Sequence, residues 1–329
     1  MNKESRFNVA LVGLGNIGMG YDLDLSESDF VLSHARAFAQ SPHFRLVLGV
    51  DKDVRLRQEF GEKYAVETVE NVEDFAAIDA VDLVVVATST PSHLAVIKEA
   101  IRVFSPKAIL CEKPLATNLK DAEALVDHCD GENIDLFVNF IRRADPAVNW
   151  VRNSFASREF ISPFTGTAWY SRGLFNTASH FTDMLEYWFG PPERIESIGV
   201  IRPAGIAEDV CADFRVYFSN GYVTFQSLPA ETISNNELDI WFCNGHLQYT
   251  SNGRILWSDK ISGDFMTDDF DMKAGRIEIP NEMKCYQKNI VRELYIAMMG
   301  LPNTLCSGRS ALGWNYEFEK LLNGKRVVL

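Results

Sequence analysis

The residues best suited to chemistry follow a short apolar run, Ala108–Cys111. Glu112 and Lys113 come directly after this run, and Pro114 follows them. Proline has no backbone N–H and cannot extend a central strand, so the pattern predicts that Lys113 lies where a buried strand leaves its sheet. Ligands bind at the carboxyl ends of strands in open parallel sheets. Lys113 is therefore a candidate proton donor or acceptor, and the alternative is a surface lysine after a strand.

A second group of polar residues lies in the middle of the chain. His180 and Asp183 are three residues apart at the start of a helical pattern, so they share one helix face. Asn176 precedes them, in the turn that leads to this helix. A histidine that follows such a turn suits a position facing a cleft. A satisfied core histidine is the other interpretation, and the spacing alone leaves both open.

A glycine-rich run follows the first predicted strand, Phe7–Val12, and reads Gly13-Leu14-Gly15-Asn16-Ile17-Gly18. The spacing glycine-x-glycine-x-x-glycine between a strand and a helix is the fingerprint of dinucleotide binding. The first glycine permits a tight turn, the second lets the backbone approach a pyrophosphate, and the third lets helix and strand pack closely. A glycine-rich structural turn is the alternative interpretation.

The second predicted strand, Phe44–Val50, ends at Asp51. A carboxylate at this place accepts a hydrogen bond from a ribose 2′-hydroxyl and repels a 2′-phosphate. Asp51 lies further from Gly13 than is usual for this motif, which the acidic insertion Tyr21–Asp29 explains. The sequence therefore predicts NAD, while the neighbouring Lys52 leaves NADP open.

Strands and helices alternate over the first 140 or so residues, which predicts a doubly wound parallel sheet in a domain at 1–142. The insertion Tyr21–Asp29 interrupts its first helix, and the helical pattern resumes at Ser33. Asp22 and Asp24 in this insertion are expected to be solvated rather than to bind a metal. For the nearby His34, a position on a helix surface is the preferred interpretation, and a position that reaches the cleft is the alternative.

The pattern changes after residue 142. Asn-Gly pairs separate alternating strands at three places, Asn220-Gly221, Asn244-Gly245 and Asn252-Gly253, and such pairs are strong hairpin signals. We therefore predict an antiparallel meander, closed by helices near Met283–Met299 and Ser310–Leu322. The fold class is α/β, with a Rossmann domain at 1–142 and, at 143–329, an α/β domain around a large, mostly antiparallel open sheet.

Composition excludes several classes of protein. The 329 residues carry a net charge of −13 without any basic run, which argues against nucleic-acid binding. No stretch approaches the roughly 20 apolar residues of a membrane span, and the polar start predicts no signal peptide. The six cysteines form no Cys-x-x-Cys pair. We therefore expect a cytoplasmic enzyme without a metal site.

Together, the glycine run, the Glu112-Lys113-Pro114 triplet and the His180-x-x-Asp183 segment resemble the Gfo/Idh/MocA oxidoreductases. These are NAD(P)-dependent enzymes that act mostly on sugars, cyclitols and sugar nucleotides. The resemblance covers the whole chain, because that family joins a Rossmann domain to an open-sheet α/β domain. The Glu-Lys-Pro triplet is its most specific motif.

The resemblance also implies roles for individual residues. Lys113 would contact both the nicotinamide ribose and the substrate hydroxyl, and His180 would be the catalytic histidine. Most members have aspartate where this chain has Asn176, and asparagine can orient an imidazolium but not stabilise its charge. The other implied cofactor contacts are Thr88, Ser89, Pro91, His93 and Glu112. The implied substrate contacts are Asn139, Arg142, Arg172 and Asp183.

The expected reaction is hydride transfer between nicotinamide and a secondary alcohol or ketone of a sugar or nucleotide sugar. Variants with Asn-x-x-Ser-His, as at Asn176–His180, resemble a branch found among surface-polysaccharide sugar enzymes. Two alternatives stay open, a non-catalytic sensor of the same fold and a reductase of a non-sugar ketone or imine. The resemblance further implies a homodimer or homotetramer formed through the second sheet.

Overall fold

The structure is a computed structural model that describes residues 6–75, 80–205, 209–229, 236–262, 270–272 and 275–323. The chain forms two compact units. The first comprises Met1–Ala144 and Lys284–Asn315, and the second comprises Asp145–Met283 and Tyr316–Leu329.

Strands and helices alternate up to residue 144. Strands β1 to β6 lie at Phe7–Val12, Phe44–Val50, Glu67–Val69, Leu83–Val86, Ala108–Cys111 and Asp135–Val138. Helices α1 to α4 lie at His34–Ala39, Val54–Tyr64, His93–Phe104 and Leu119–Gly131. The predicted interruption of the first helix is confirmed. One helical turn follows the glycine run, with Met19 N–H bonded to Gly15 O at 2.8 Å, and regular helix starts only at His34.

The remaining elements follow in chain order. Helices α5 and α6 lie at Pro146–Ala156 and Ser179–Phe189. Strands β7 to β15 lie at Phe164–Tyr170, Arg194–Pro203, Val210–Phe218, Gly221–Ser227, Glu237–Phe242, Gly245–Tyr249, Ile255–Ser262, Phe270–Met272 and Ile277–Ile279. The last elements are α7 at Tyr286–Met298, β16 at Cys306–Ser307 and α8 at Gly308–Asn323.

The first unit contains the predicted doubly wound sheet, in the order β16-β6-β5-β4-β1-β2-β3. Neighbours from β3 to β6 pair in parallel, and only the edge strand β16 is antiparallel. All four residues of β4 are buried, as expected for a parallel sheet with both faces covered.

Five strands of this sheet end in register. Val12 pairs with Val50 on one side and Val86 on the other. Val86 pairs with Cys111, and Cys111 pairs with Val138. Because the strands are parallel, the residues that follow them meet at one edge of the sheet. These residues are Gly13, Asp51, Ala87, Glu112 and Asn139.

The second unit is built on a sheet in the order β14-β13-β12-β11-β7-β10-β9-β8, with β15 paired to β13. The three predicted hairpins form, joining β9 to β10, β11 to β12 and β12 to β13. A simple meander is nevertheless wrong, because β7 lies between β10 and β11 and pairs with β10 in parallel. Turn residues specify pairing within a hairpin, but not which strand lies between two hairpins.

The domain boundary predicted at residue 142 lies next to Ala144, where the first segment of the first unit ends. Residues 284–315 also belong to the first unit by their contacts. Helix α7 buries Ile290, Val291 and Leu294 in the core cluster that holds β1 and α1, and β16 pairs with β6. Among the described residues, no helix is long and apolar enough to cross a bilayer.

Candidate cofactor and active site

The three glycines of the first turn differ in the space around them. A Cβ added to Gly13, whose φ is +97°, would lie 2.6 Å from the Ala87 carbonyl. A Cβ on Gly18 would lie 2.1 Å from Gly13 O. A Cβ on Gly15 would meet nothing within 4 Å. The fold itself therefore requires the first and third glycines, while the second leaves space that a pyrophosphate fits.

Asp51 is fixed at the end of β2 by two backbone donors. Leu14 N–H donates to Oδ2 at 2.7 Å and Asp53 N–H donates to Oδ1 at 2.8 Å. A carboxylate retains further lone pairs, so Asp51 can still accept a ribose hydroxyl. The neighbouring Lys52 donates its Nζ to Asn71 Oδ1.

A cavity of about 460 Å³ opens beside these residues within the first unit. Its lining includes Gly13, Gly15, Asp51, Lys52, Thr88 and Ser89. Asn16 is exposed and Ile17 is half-buried next to it in sequence. The cavity and the open Gly15 backbone fit the adenosine and pyrophosphate parts of a nicotinamide dinucleotide.

The turn after β4 carries four residues that the resemblance assigns to the cofactor. Thr88 and Ser89 line the cavity, and Pro91 is exposed in the short helical turn that follows. His93 is different, because only 1% of it is exposed. Its Nε2 lies 3.2 Å from Thr88 O, and its Nδ1 lies 3.1 Å from Leu115 O.

Burial lowers the pKa of His93, so the ring is neutral and carries one N–H. Cys111 Sγ lies 3.3 Å from Nδ1, which suits an S–H donor to Nδ1 and an Nε2–H donor to Thr88. In this tautomer His93 ties the loop after β4 to Cys111, the last residue of β5. The direct contact of His93 with the cofactor stays a prediction.

Glu112 and Lys113 follow β5 where it leaves the sheet, as predicted, and the Lys113–Pro114 peptide is cis. The Glu112 carboxylate is held by protein groups. Its Oε1 accepts hydrogen bonds from His34 Nε2 at 2.8 Å and from Asn139 Nδ2 at 2.6 Å. Burial raises the pKa of Glu112, but the bond from His34 and the other partners outweigh it and leave the pKa lowered. Glu112 is thus an ionised neighbour of the half-buried Lys113.

Two expected substrate contacts in the first unit lie in different surroundings. Asn139 is 1% exposed and bonds to Glu112 and, at 3.4 Å, to Gln287, so it supports Glu112, and its contact with substrate stays a prediction. Arg142 is half-buried in the turn Ile141–Ala144 after β6.

The second unit holds the histidine motif. His180 is half-buried near the start of α6. Asn176 lies in a π-helical turn, Leu174–Ala178, that runs into α6, where the sequence predicted a plain turn. Arg172 is exposed just before it. Asp183 is 0% exposed, and its contact with substrate stays a prediction.

Asp209 anchors this π-helical turn. Its carboxylate accepts the backbone N–H groups of Leu174, Phe175 and Asn176 at 3.1, 3.2 and 2.8 Å. Burial raises the pKa of Asp209 despite these bonds. Asn176 Nδ2 donates to Arg172 O at 3.1 Å. The carboxyl group of Asp209 therefore supports this turn although residue 176 is asparagine.

Comparison with known proteins assigns the first unit. Residues 7–140 match the model of the family GFO_IDH_MocA, described as an oxidoreductase family with an NAD-binding Rossmann fold. The Rossmann domain belongs to the Gfo/Idh/MocA family. The predicted fingerprint and nicotinamide-dinucleotide cofactor are thereby confirmed.

Curated relatives of this chain include sugar and cyclitol dehydrogenases. Inositol 2-dehydrogenase of Rubrobacter xylanophilus is 29% identical over 170 residues, which are 50% of this chain and 44% of the relative. The chain therefore spans less than half of that relative's length. Myo-inositol 2-dehydrogenase of Thermotoga maritima is 23% identical over 97% of both chains.

Solved structures share the fold of both units. The WlbA dehydrogenase from Bordetella pertussis, solved with NADH and UDP-GlcNAcA, has a TM-score of 0.72 and covers 99% of each chain. Its sequence identity to this chain is 16%. The predicted fold class, a Rossmann sheet followed by a mostly antiparallel sheet, is confirmed.

Sequence reasoning missed three residues around the motifs. His34, expected on a helix surface, is 0% exposed and bonds to Glu112. Gln287 is 0% exposed behind Asn139, and Asp209 holds the turn before His180. His34 stands at the restart of the helical pattern after the insertion, which is a usable signal. Gln287 and Asp209 carry no local signal, because their partners are far away in sequence.

Proposed function

We propose that this protein is an NAD-dependent oxidoreductase that transfers hydride between nicotinamide and a secondary alcohol or ketone of a sugar, cyclitol or nucleotide sugar. One observation carries the proposal. The glycine run, with its open backbone at Gly15, follows β1. Asp51 follows β2, and Glu112 and Lys113 follow β5. These strands end in register at one edge of one sheet. With neighbouring strands about 4.8 Å apart, β5 lies about 10 Å from β1, so one dinucleotide can extend along that edge from Asp51 towards Lys113.

Charge around the cavity favours NAD over NADP. Among the described residues, three carboxylates, from Asp51, Glu70 and Glu99, line it together with one cation, Lys52. A 2′-phosphate would add negative charge beside Asp51, whereas a free 2′-hydroxyl can donate to that carboxylate. Lys52 is bonded to Asn71, so binding a phosphate would require it to leave this partner.

In this proposal Lys113 is the acid–base residue. The bound cofactor supplies or accepts the hydride. Lys113 takes the hydroxyl proton in the direction of oxidation and returns a proton to the carbonyl oxygen in the direction of reduction. General acid–base catalysis of this kind contributes about 10²–10⁴-fold. The Glu112 carboxylate neutralises the positive charge that develops on Lys113 as it accepts the proton.

His180 is proposed as the second acid–base group, with Asn176 as a residue that orients it. Asn176 holds no negative charge of its own, so a larger share of proton transfer falls to Lys113. Replacing His180 by asparagine should then reduce kcat less than replacing Lys113 by alanine. Equal losses of kcat in the two variants would contradict this assignment of roles.

The relatives support the proposed substrate class. They include inositol, D-xylose and D-apiose dehydrogenases, and WlbA was solved with a nucleotide sugar. Arg142 and Arg172 are the proposed partners of a substrate carboxylate or diphosphate, because guanidinium groups bind such oxygens in a bidentate manner.

We further propose that the protein is a homodimer or homotetramer through the second-unit sheet. Large apolar side chains are exposed on it, with Trp169, Ile198 and Trp241 at 36%, 42% and 47%, and such surfaces mark interaction sites. Sedimentation of the wild-type protein and of Trp241→Glu would test this. A monomeric wild-type protein would contradict it.

The decisive experiment follows nicotinamide absorbance while the purified protein is incubated with NAD and a panel of cyclitols, sugars and nucleotide sugars. Lys113→Ala should lose nearly all turnover and keep most of its affinity for NADH. Lys120→Ala is the matched control, because Lys120 is an exposed lysine on α4.

Turnover by Lys113→Ala near the wild-type rate would overturn the role of Lys113. Tight NAD binding without turnover on any substrate would instead favour a non-catalytic sensor or a non-sugar substrate.

A further inference from the structure

A buried chain of polar side chains leads from α1 to the residue next to Lys113. His34 Nε2 lies 2.8 Å from Glu112 Oε1, and Asn139 Nδ2 lies 2.6 Å from the same oxygen. His34 is 0% exposed and the Glu112 side chain is 12% exposed. Lys113 N–H points back to Glu112 Oε2 at 3.3 Å. Both oxygens of the Glu112 carboxylate are therefore fixed by protein donors.

The tautomer of His34 follows from its surroundings. Its Nδ1 is buried and has no hydrogen-bond partner among the described residues. A proton on that atom would be buried without an acceptor, which is costly. The Glu112 carboxylate can only accept, so the ring carries its proton on Nε2 and donates it to Glu112. His34 is thus a donor to Glu112.

The acidic insertion places His34 at this point. Asp22 is 1% exposed and accepts the backbone N–H groups of Leu32 and Ser33 at 2.6 and 2.9 Å. Its other oxygen accepts Ser33 Oγ–H at 2.6 Å. Ser33 caps α1, and His34 N–H donates to Ile17 O at 3.0 Å. The insertion is therefore folded back and fixes the first residue of α1.

Several titratable groups face Glu112. They come from α1, α3, α7 and the strand of Glu112 itself, and they are His34, His93, Tyr286, Cys111 and Lys113. Burial lowers the pKa of His93 and raises the pKa values of Cys111 and Tyr286, so these three are neutral near pH 7. Of these described groups, His34 and Lys113 are the ones whose charge lowers the pKa of Glu112, after the hydrogen bond from His34.

We propose that His34 is a positioning residue that acts on Lys113 through Glu112. By donating Nε2–H to the Glu112 carboxylate, His34 keeps this carboxylate ionised and oriented, and the carboxylate in turn stabilises the ammonium form of Lys113. This inference rests on the acid–base role proposed for Lys113. The resting enzyme then holds Lys113 ready to donate a proton to a ketone, and oxidation of an alcohol requires Lys113 to lose that proton first.

The test measures the charge state of Lys113 without any substrate. Trace labelling with acetic anhydride over a pH series, read by mass spectrometry on the peptide that contains Lys113, reports the fraction of neutral amine. The protein is compared with Glu112→Gln, His34→Phe, His34→Gln and the double variant. His128→Gln is the matched control, because His128 lies on α4, away from this polar chain.

Glu112→Gln should raise labelling of Lys113 at neutral pH by about tenfold, since an adjacent opposite charge changes a pKa by roughly 1 or more. His34→Phe should raise it several-fold, whereas His34→Gln retains an amide donor and should stay near wild type. The double variant should match Glu112→Gln, because His34 acts only through Glu112.

The inference is overturned if His34→Phe is labelled as wild type at every pH. It is also overturned if the increase in Lys113 labelling in the double variant equals the product of the increases in the two single variants. If His34→Phe does not fold, His34→Ala with and without added imidazole replaces it, and rescue of the wild-type titration by imidazole is expected. Turnover is not part of the readout, so failure of the proposed function would appear only in the substrate panel.

Discussion

Substitutions at Gly15 and Gly18 distinguish a glycine that cofactor binding requires from a glycine that the fold requires. A Cβ on Gly15 meets nothing within 4 Å, while a Cβ on Gly18 would lie 2.1 Å from Gly13 O and 3.0 Å from Leu14 Cα. We therefore expect Gly15→Ala to leave the stability of the ligand-free protein unchanged and to weaken NADH binding. Gly18→Ala should destabilise the protein before any ligand is added.

The expected magnitudes follow from these contacts. Overpacking against backbone atoms costs about 1–3 kcal/mol, so Gly18→Ala should lower the free energy of unfolding by that amount. On Gly15, a methyl group would keep the pyrophosphate away from backbone donors. Losing one hydrogen bond to a charged group costs about 1.5–3 kcal/mol, which corresponds to a Kd for NADH about 10- to 100-fold higher.

Urea unfolding of the ligand-free variants and NADH fluorescence titration measure the two effects separately. Gly131→Ala is a control, because its added Cβ also meets nothing within 4 Å but lies at the end of α4. Unchanged NADH affinity in Gly15→Ala would refute the assignment of Gly15 to the pyrophosphate site. So would equal losses of stability in Gly15→Ala and Gly18→Ala.

Three further predictions concern stability, each measured by urea unfolding. Arg36→Leu should cost about 3–5 kcal/mol, because it leaves the buried Asp22 without its cation; a loss below 1 kcal/mol would contradict the buried pair. Gly173→Ala should destabilise by about 1–3 kcal/mol, since φ is +105° and the new Cβ would lie 2.0 Å from Asp209 Oδ2; wild-type stability would show that the turn is not tight. Burial raises and the bond from His34 lowers the pKa of Glu112, with a lowered net value. Glu112 therefore stabilises the protein above its unfolded pKa, and this stabilisation is lost as the pH falls through the lower folded pKa. In Glu112→Gln, the free energy of unfolding should therefore fall less steeply as the pH is lowered. A pH dependence unchanged from the wild type would contradict this role of Glu112.

Local patterns predicted the regular elements well. Strands Phe7–Val12, Phe44–Val50 and Ala108–Cys111 have the bounds that the sequence indicated. Apolar runs and the turn residues that end them are determined within a few neighbouring residues. The glycine run and the position of Lys113 at the end of β5 were predictable in the same way, because proline cannot continue a central strand.

Local patterns did not predict which polar side chains are buried. His93, Asn139 and Asp183 were expected at a ligand, and all three are at most 1% exposed. Asn139 bonds to Glu112, 27 residues away, and to Gln287, 148 residues away. Partners at such distances leave no periodic trace near the residue itself.

The sequence by itself determined the family of the first domain, its cofactor class and the strand ends that carry Gly13, Asp51 and Lys113. Only the tertiary structure decided that His34 lies behind Glu112, that Asp209 supports the turn of Asn176, and that residues 284–315 return to the first unit. Backbone conformation depends on neighbouring residues, whereas burial and hydrogen-bond partners depend on segments that meet only when the chain has folded.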